Sequence, residues 1–413
     1  MSNRREFITG VLGSTAAFAA GSVLPSSRVL GANDRVRFGL IGCGGRGLQD
    51  FHSALRATNV EAVAVSDVYT RRLDEAKKIA PNARTYADFR QLLDDKSIDA
   101  VVIATPQHQH ALQFVPAIQA GKDVYQEKTM AFNPDHARRM RRAFEGSNRI
   151  VQIGSQATSG PAAAASRPYL NDEHMGAITQ VHTHHYRNAP YGGWKREIPA
   201  DCDTQHLNWD VFQGEAPPHE FDPNRYMNWR FYWDYSGGNV FENMVHQVIF
   251  WYKMLDLKVP HSVTMGGGNY RNAEMEVPDT YDISMDQGNL LFTWNSMFGN
   301  RYYGEGNDVV LGTKGTILRD ESERIHYIPE ARRRRGDVAE AAAAPGKATP
   351  DIVGDSDMTD LHFQNFFDCV RSRKEPNCPF ELGFRSAIAC RMALVSFRAG
   401  RRVTWDAERE EIV

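Results

Sequence analysis

The sequence Gly42-Cys43-Gly44-Gly45-Arg46-Gly47 lies between an apolar run, Val36–Ile41, and a stretch with helical spacing. Its glycines match the G-x-G-x-x-G pattern found where a strand leads into a helix in dinucleotide-binding βαβ units. Gly42 permits the tight turn, Gly44 lets backbone amides approach a pyrophosphate, and Gly47 lets the helix pack closely on the strand. The amino terminus of the helix adds partial positive charge for the phosphates. We therefore predict a nucleotide site contacted by Gly42, Cys43, Gly44, Gly45, Arg46 and Gly47.

An acidic residue, Asp67, ends the second apolar run, Val60–Ser66, and stands twenty residues after Gly47. A carboxylate at this place can bond both hydroxyls of the adenosine ribose and would repel a 2′-phosphate. The predicted cofactor is therefore NAD. Arg71 and Arg72 follow closely and could pair with a 2′-phosphate, which keeps NADP open as an alternative.

The first part of the chain alternates short β-branched runs with helical stretches, which is typical of βαβ units and a parallel sheet. The runs are almost continuously apolar, as expected when helices cover both faces of a sheet. The predicted strands are Val36–Ile41, Val60–Ser66, Ala100–Ala104, Lys122–Gln126 and Ile150–Ile153, and the predicted helices are Leu48–Ala57, Thr70–Ile79, Gln107–Ala120 and Pro134–Glu145. The fold class is thus α/β, with a doubly wound Rossmann domain over residues 33–158.

Strand-like runs separated by turn residues predominate from residue 159 onward. They are Gln180–Arg187, Ser262–Tyr270, Thr280–Asp286, Leu290–Trp294, Val309–Gly312 and Thr316–Leu318, and helical spacing returns at Asp357–Ser372 and Phe384–Ala399. This pattern predicts an α+β domain over residues 159–413 with an open, largely antiparallel sheet. Its terminal helices can pack back on the Rossmann domain. An arginine- and alanine-rich stretch, 332–350, has the composition of an insertion.

The amino terminus carries paired arginines in Asn3-Arg4-Arg5-Glu6-Phe7-Ile8, followed by an uncharged, small-residue-rich run, Thr9–Leu24. This combination predicts a twin-arginine export signal over residues 1–32 and a periplasmic location. The run is too short and too rich in small residues to span a membrane. Because this route carries folded, cofactor-loaded proteins to a compartment without an obvious pool of free NAD, we expect a tightly bound cofactor that is regenerated in place.

Charge and cysteine usage exclude several classes of function. The net charge of −3 gives no indication of a nucleic-acid partner. The five cysteines have neither metal-ligand nor redox-motif spacing, and no metal site is predicted. Cys369 and Cys378 could pair in an oxidising compartment, which the sequence leaves open.

Two segments at the carboxyl ends of predicted strands carry polar residues, Thr105-Pro106 with His110, and Glu127-Lys128-Thr129. Ligands bind at this edge of open α/β sheets. We therefore add these cofactor contacts: Thr105, Pro106, His110, Glu127 and Lys128. A lysine partly desolvated beside an oxidised nicotinamide releases its proton more readily, which suits proton exchange with a hydroxyl group.

Glu242 and His246 lie four residues apart where the segment Gly237–His246 leads into a helix, so they are expected to share one helical face. A carboxylate beside an imidazole can orient the ring for general acid/base catalysis. The same pair could ligate a metal, but no third ligand is evident. His182, His184 and His185 are divided between the two faces of one strand, and a metal site there is a weaker alternative.

Five of the seven tryptophans fall within one stretch of the second domain, at Trp194, Trp209, Trp229, Trp233 and Trp251. Aromatic faces suit the C–H surfaces of sugars, although aromatic clusters more often form cores or interfaces. Sugar stacking by at least one of them remains a hypothesis.

These blocks together resemble the glucose–fructose oxidoreductase/inositol dehydrogenase (Gfo/Idh/MocA) family, particularly its twin-arginine-exported bacterial branch, over essentially the whole mature chain. Further similar segments are Leu207-Asn208-Trp209-Asp210, Trp233-Asp234-Tyr235, Gly312-Thr313-Lys314-Gly315 and Asn365-Phe366-Phe367-Asp368-Cys369. The Glu-Lys-Pro motif of the family falls on Glu127–Thr129, with threonine in place of proline. Its Asp-x-x-x-His motif falls on Glu242 and His246, with glutamate in place of aspartate.

The resemblance implies that the second domain covers the nicotinamide, binds substrate and mediates contacts in a homo-oligomer. It also implies NAD(P)-dependent hydride transfer at a carbinol carbon of a sugar, cyclitol or glycoside. The implied catalytic residues are Lys128, His246 and Glu242, and the substrate contacts predicted with them are Tyr186, Arg187, Trp233, Asn243 and His246. The sequence leaves open whether Lys128 or His246 is the base.

Three functions are compatible with the sequence. The first is an exported oxidoreductase that oxidises one sugar and reduces another. The second is a redox-neutral glycosidase that oxidises, eliminates, adds water and reduces; the Tyr-Pro-Thr-His motif of exported NAD-dependent α-N-acetylgalactosaminidases is absent, and Phe241–His246 stands in its place. The third is a non-catalytic nucleotide- or sugar-binding protein, against which the presence of both Lys128 and His246 argues.

Overall fold

A computed structural model describes residues 35–301, 307–330 and 357–413. The predicted export signal, 1–32, and the predicted insertion, 332–350, lie outside these residues.

The first domain is built on a six-stranded parallel sheet. Its strands are β1 Val36–Ile41, β2 Val60–Ser66, β3 Arg84–Tyr86, β4 Ala100–Ile103, β5 Asp123–Glu127 and β6 Val151–Gly154. The strand order is β3-β2-β1-β4-β5-β6, and every neighbouring pair is parallel. The order reverses between β1 and β4, and ligands bind outside the carboxyl ends of the strands at such a switch point. The predicted Rossmann sheet is confirmed.

Five helices connect these strands: α1 Gly45–Arg56, α2 Thr70–Ile79, α3 Phe89–Asp94, α4 His110–Gln119 and α5 Pro134–Phe144. The sequence patterns located all of them except α3, and all strands of this sheet except β3. Both are short, and the first two residues of the edge strand β3 are exposed, so neither has a continuous apolar run.

The second domain contains a nine-stranded sheet. Its strands are β7 Ile178–Tyr186, β8 Ser262–Gly268, β9 Thr280–Asp286, β10 Leu291–Met297, β11 Asp308–Gly312, β12 Gly315–Arg319, β13 Ile325–Pro329, β14 Val403–Asp406 and β15 Glu411–Ile412. The order is β13-β12-β11-β7-β10-β9-β8-β14-β15, in which β7 and β10 are parallel and the other neighbours antiparallel. The predicted open, largely antiparallel sheet is confirmed.

The helices of the second domain are α6 Pro161–Ser166, α7 Trp209–Gln213, α8 Pro223–Met227, α9 Val245–Leu255, α10 Met358–Ser372 and α11 Phe380–Ala399. One face of the sheet is covered, because Val181 and Thr183 of β7 are buried whereas the alternate residues Gln180 and His182 are partly exposed. The covered face packs on α9 and α11 around side chains such as Trp251.

The helix α10 packs on the first domain although it lies between β13 and β14 of the second sheet in sequence. Phe363, Phe366 and Phe367 share one buried cluster with Phe38 of β1 and Phe51 of α1. The helix α11 contacts α5 and β6 of the first domain as well as β8 and α9 of the second. The carboxyl-terminal helices therefore hold the two domains together.

A long segment between β7 and α9 crosses the first domain, and we call residues 196–235 the strap. Its backbone at Leu207 pairs with Tyr69, just after β2, through the bonds Asn208 N to Val68 O (2.9 Å) and Thr70 N to His206 O (3.0 Å). The strap therefore covers the nucleotide-binding edge of the Rossmann sheet.

The five cysteines are buried and unpaired, so Cys369 and Cys378 do not form a disulfide in this structure. Within the described ranges, no helix combines the length and the apolar character needed to cross a membrane.

Candidate functional site

The glycine turn after β1 has the geometry that a dinucleotide requires. Gly42 has a φ of +92°, and a Cβ on Gly47 would lie 1.9 Å from the carbonyl oxygen of Gly42. By contrast, a Cβ on Gly44 or Gly45 would meet nothing within 4 Å, because both glycines face open space at the amino terminus of α1. This turn and helix terminus fit the pyrophosphate of a dinucleotide.

Asp67 lies beside this turn and is fixed by backbone amides. Its Oδ2 accepts a hydrogen bond from Cys43 N (2.7 Å), and its Oδ1 accepts one from Tyr69 N (2.9 Å). Burial raises the pKa of Asp67 to about 6, although these two hydrogen bonds act in the opposite direction. Each oxygen retains acceptor capacity for a ribose hydroxyl. Arg71 pairs with Asp201 of the strap, and Arg72 pairs with Glu75.

A cavity of about 680 Å³ extends from the glycine turn to α9. Most of the predicted cofactor contacts line it, namely Gly42, Gly44, Gly45, Arg46, Asp67, Thr105, Pro106, Glu127 and Lys128. Three other predicted contacts are placed behind the wall. Cys43 and Gly47 are buried in the turn, and the imidazole of His110 bridges the carbonyls of Thr105 and Thr129 at 2.9 and 2.8 Å.

Lys128 and Glu242 form an ion pair at the far end of the cavity. The Lys128 Nζ lies 3.2 Å from Glu242 Oε2 and donates to the Glu242 carbonyl at 3.0 Å. Arg230 of the strap lies 3.2 Å from the same Oε2, and Gln107 Nε2 donates to Oε1 at 2.5 Å. Burial alone would raise the pKa of the Glu242 carboxyl, but Arg230 and Lys128 outweigh it and hold this pKa well below its usual value.

The expected pairing of Glu242 with His246 is replaced by this contact with two cations. The residues Val240–Met244 form a π-helical turn before α9, so Glu242 and His246 do not belong to one regular helix. In the parts of the chain that the structure describes, no hydrogen bond joins the Glu242 carboxylate to the His246 ring. The Glu242 carboxylate instead pairs with Lys128 and orients its ammonium group. A buried carboxylate needs such a paired positive charge to offset the hydration that it loses.

His246 lines the cavity and has no hydrogen-bond partner for its imidazole among the described residues. Desolvation lowers the pKa of His246 well below its usual value, and the positive charges of Lys128 and Arg46 lower it further. The imidazole is therefore neutral at neutral pH and has a nitrogen free to accept a proton. His185 of β7 is a further nearby group whose charge would oppose protonation.

A buried acidic network lies behind Lys128. The Glu127 carboxylate accepts hydrogen bonds from Arg46 Nε at 3.2 Å and from Gln156 Nε2 at 3.1 Å. Asp50, fully buried, lies 2.8 Å from Arg46 Nη2, and burial together with Glu127 raises its pKa well above the usual value. Glu127 and Arg46 thus neutralise each other at the edge of the cavity.

Thr129, at the position where the family motif has proline, ties the Lys128 loop to the second domain. The Lys128–Thr129 peptide bond is cis. The Thr129 hydroxyl donates to the carbonyl of Phe241 at 2.8 Å. Because Phe241 belongs to the turn that carries Glu242, this bond fixes the loop of Lys128 relative to the turn of Glu242.

The predicted substrate contacts are distributed over several places. Asn243 and His246 line the main cavity. Tyr186 lines a separate cavity on the outer face of the second sheet. Arg187 donates to the carbonyl of Gly192 at 2.9 Å, and Trp233 packs on Phe397 of α11.

Of the five clustered tryptophans, Trp229 alone lines the main cavity. Its ring lies 4.2 Å beneath the guanidinium carbon of Arg230. Trp251 is fully buried, and Trp194 packs edge-on against Phe298. In the described ranges no group of three or more histidine, cysteine, aspartate or glutamate side chains is placed to hold a metal ion.

Several cavity residues were not indicated by the sequence: Gln107, Arg196, Tyr226, Met227, Trp229 as a wall residue, and Arg230. Most of them belong to the strap, whose sequence signals are its aromatic composition and the family-like segments 207–210 and 233–235, neither of which includes these residues. They reach the site because the strap pairs with the loop after β2, which no local pattern reveals.

The fold and the site define a two-domain dinucleotide-binding protein. Residues 36–155 match the model of the GFO_IDH_MocA oxidoreductase family, NAD-binding Rossmann fold. The first domain is thus similar to the NAD-binding domain of this oxidoreductase family, and NAD is the cofactor that it binds.

Curated relatives at 30% identity or more match well under half of the chain. A glycosyl hydrolase family 109 protein of Stenotrophomonas maltophilia is 37% identical over 129 residues, which are 29% of this chain and 28% of the relative. Inositol 2-dehydrogenase 2 of Saccharopolyspora erythraea is 30% identical over 158 residues, 38% of this chain and 46% of the relative. The chain therefore spans less than half the length of these relatives. An uncharacterized oxidoreductase of Streptococcus pneumoniae is 23% identical over 79% of this chain and 87% of its own.

Solved structures share the whole two-domain fold. The WlbA dehydrogenase of Bordetella pertussis, in complex with NADH and UDP-GlcNAcA, has a TM-score of 0.68 at 22% identity, over 90% of this chain and 99% of its own. A levoglucosan dehydrogenase in complex with NADH has a TM-score of 0.69 at 16% identity, over the same shares. At these identities the likeness establishes the fold.

Proposed function

We propose that this protein is an oxidoreductase of the Gfo/Idh/MocA type that acts on a hydroxyl-bearing carbon of a sugar, cyclitol or glycoside. The observation that carries the proposal is one cavity in which the glycine turn and Asp67 lie at one end and Lys128, Glu242 and His246 at the other. When bound, the nicotinamide supplies hydride acceptance and return. Inositol 2-dehydrogenase and levoglucosan dehydrogenase among the similar proteins support this class of substrate.

Two residues share the acid/base chemistry at the substrate hydroxyl, His246 and Lys128. The neutral, unpartnered imidazole of His246 is suited to take the proton of the substrate hydroxyl. Lys128, held by Glu242, is placed to donate a hydrogen bond to the oxygen as negative charge develops there. His246 is therefore the proposed base, and Lys128 the proposed oxyanion donor.

The proposal includes export through the twin-arginine pathway to the periplasm and an NAD that stays bound through each cycle. In that compartment the electrons would return to a substrate in the same site.

We also propose a homo-oligomer that uses the outer face of the second sheet, where Leu291 is 37% and Tyr270 74% exposed. Light scattering of the purified protein tests the oligomer, and fractionation of a bacterial host tests the location.

A second candidate is a redox-neutral glycosidase, which the 37% identity to a glycosyl hydrolase family 109 protein favours. One experiment distinguishes the two candidate functions. The protein is purified without added cofactor and is then offered free sugars or aryl glycosides. A change of absorbance at the reduced-nicotinamide band with free sugars supports the oxidoreductase. Release of the aglycone without net NADH supports the glycosidase, and neither response would indicate a binding protein.

The assigned roles are tested by His246→Ala and Lys128→Ala. Each substitution should lower kcat by at least about 100-fold, because general base and oxyanion contributions are of this size. Bound NAD, measured by absorbance after gel filtration, should be retained in both variants. Glu215→Gln, outside the cavity on the strap, is the control and should keep wild-type turnover. Normal activity in either alanine variant would refute the assignment.

A further inference from the structure

The strap and the glycine turn form two walls of the cofactor cavity. Gly44 and Gly45 belong to one wall, and Arg196, Tyr226 and Trp229 of the strap belong to the other. Side chains of the strap and the first domain also tie these walls together, since Tyr69 donates to Asp201 at 2.7 Å. A dinucleotide in this cavity would be enclosed from both sides.

The backbone of Arg196 is fixed at the cavity wall by a buried asparagine. Arg196 N donates to Asn228 Oδ1 at 2.7 Å, and Asn228 Nδ2 donates back to the Arg196 carbonyl at 3.2 Å. Asn228 is 3% exposed. This reciprocal pair holds Arg196 in place although its side chain reaches solvent-accessible space.

Arg196 lines the same cavity as two other arginines, Arg72 and Arg230. Its backbone bonds to Asn228, two residues before Arg230, and Arg230 contacts Glu242 at the catalytic end. Desolvation lowers the pKa of Arg196, and the charges of Arg230 and Arg72 lower it further. The cavity wall therefore carries three cations, of which Arg196 is one.

Arg196 is also the one of these three arginines that has no carboxylate partner among the described residues. Arg230 is paired with Glu242, and Arg72 with Glu75. The Arg196 Nη1 donates to the carbonyls of Gly193 and Lys195 at 2.8 and 3.2 Å, whereas its Nε and Nη2 have no partner in the described part of the chain. A guanidinium of this kind is well suited to a phosphate oxygen.

We propose that Arg196 binds the pyrophosphate of the dinucleotide from the wall formed by the strap, and that the strap thereby retains the cofactor. The pyrophosphate is the double negative charge that this position faces, whereas an anionic substrate group would be expected beside Lys128 and His246. The inference rests on NAD binding by the first domain and supplies the retention that the proposed closed redox cycle needs.

The test compares Arg196→Met and Arg196→Lys with Lys195→Met in the full chain. Lys195 is the matched control, because it is the adjacent cation on the chain but pairs with Glu274. Affinity differences among variants of one binding site arise mostly in the dissociation rate, so Arg196→Met should release NAD about 10–100-fold faster in a dilution chase. Arg196→Lys should lie between Arg196→Met and the wild type, and Lys195→Met should match the wild type.

Truncated ligands locate the contact. Arg196→Met should weaken the binding of ADP-ribose as strongly as the binding of NAD. Adenosine, which lacks the phosphates, should bind the variant and the wild type equally. Unchanged NAD and ADP-ribose binding would overturn the proposal, as would equal losses for adenosine, a loss confined to NADP, or an effect confined to the KM of the substrate. These are binding measurements and need no substrate turnover. They therefore test the role of Arg196 even if the protein turns over no carbohydrate.

Discussion

Asp67 is the residue whose ionisation should be visible in cofactor binding. The carboxylate form accepts hydrogen bonds from the ribose hydroxyls, and burial places the pKa of Asp67 at about 6 before the cofactor binds. Affinity for NAD should therefore be constant above pH 7 and fall as the pH drops through 6. About one tenth of the carboxyl is ionised at pH 5, so we expect a loss of up to about tenfold between pH 7 and pH 5.

Asp67→Asn is the control for this pH dependence. The variant should bind NAD more weakly than the wild type at pH 7 and show no comparable fall between pH 7 and pH 5. Titration calorimetry at several pH values measures both proteins. A flat wild-type profile, or the same fall in Asp67→Asn, would show that another group controls binding.

At the residue scale, the sequence predicted the positions that a local motif defines and missed those that depend on distant packing. Gly42, Gly47 and Asp67 could be assigned because one turn geometry requires them. The partners of Glu242 could not, since Lys128 and Arg230 reach it from two separate earlier segments of the chain, each more than ten residues away. The i,i+4 spacing to His246 was a local pattern that the π-helical turn overrides.

At the scale of elements, the hydroxyl of Thr129 links the loop after β5 to the turn before α9. Thr129→Val removes the bond to the Phe241 carbonyl, and a buried hydrogen bond of this kind contributes about 1–2 kcal/mol to the free energy of unfolding. Turnover should fall as well, because Lys128 and Glu242 lie on the two linked elements. Thr129→Ser, which keeps the hydroxyl, should remain closer to the wild type in urea unfolding and in kcat.

The reverse order, with Thr129→Ser more damaging than Thr129→Val, would show that packing of the methyl group matters more than the hydrogen bond. Thr129→Val keeps the side-chain volume nearly unchanged and removes the hydroxyl, whereas Thr129→Ser keeps the hydroxyl and removes the buried methyl group. The two variants therefore separate the two contributions.

The buried strands of the first sheet were predictable because both of their faces are covered by protein, which leaves a continuous apolar run in each. The strap was not predictable as a wall of the site. Its helices α7 and α8 are five residues long and carry no amphipathic repeat. Its position depends on the bridge between Tyr69 and Leu207, which are far apart in sequence.

At the scale of the whole molecule, α10 and α11 make the two domains depend on each other. Phe363 and Phe366 of α10 are fully buried against Tyr125 and other side chains of the Rossmann sheet. The next helix, α11, precedes β14 of the second sheet and packs on both domains. We therefore expect one cooperative unfolding transition for the two domains.

The tryptophans make this expectation testable, because all seven follow residue 193 and two of them, Trp251 and Trp294, are fully buried in the second domain, while NAD binding reports on the first. Denaturant curves followed by tryptophan fluorescence and by NAD binding should coincide. Phe366→Ala, in α10, should lower the free energy of unfolding by about 3–5 kcal/mol and shift both curves together. If the NAD-binding curve alone moves while the fluorescence curve stays in place, the domains unfold independently and α10 stabilises only the Rossmann domain.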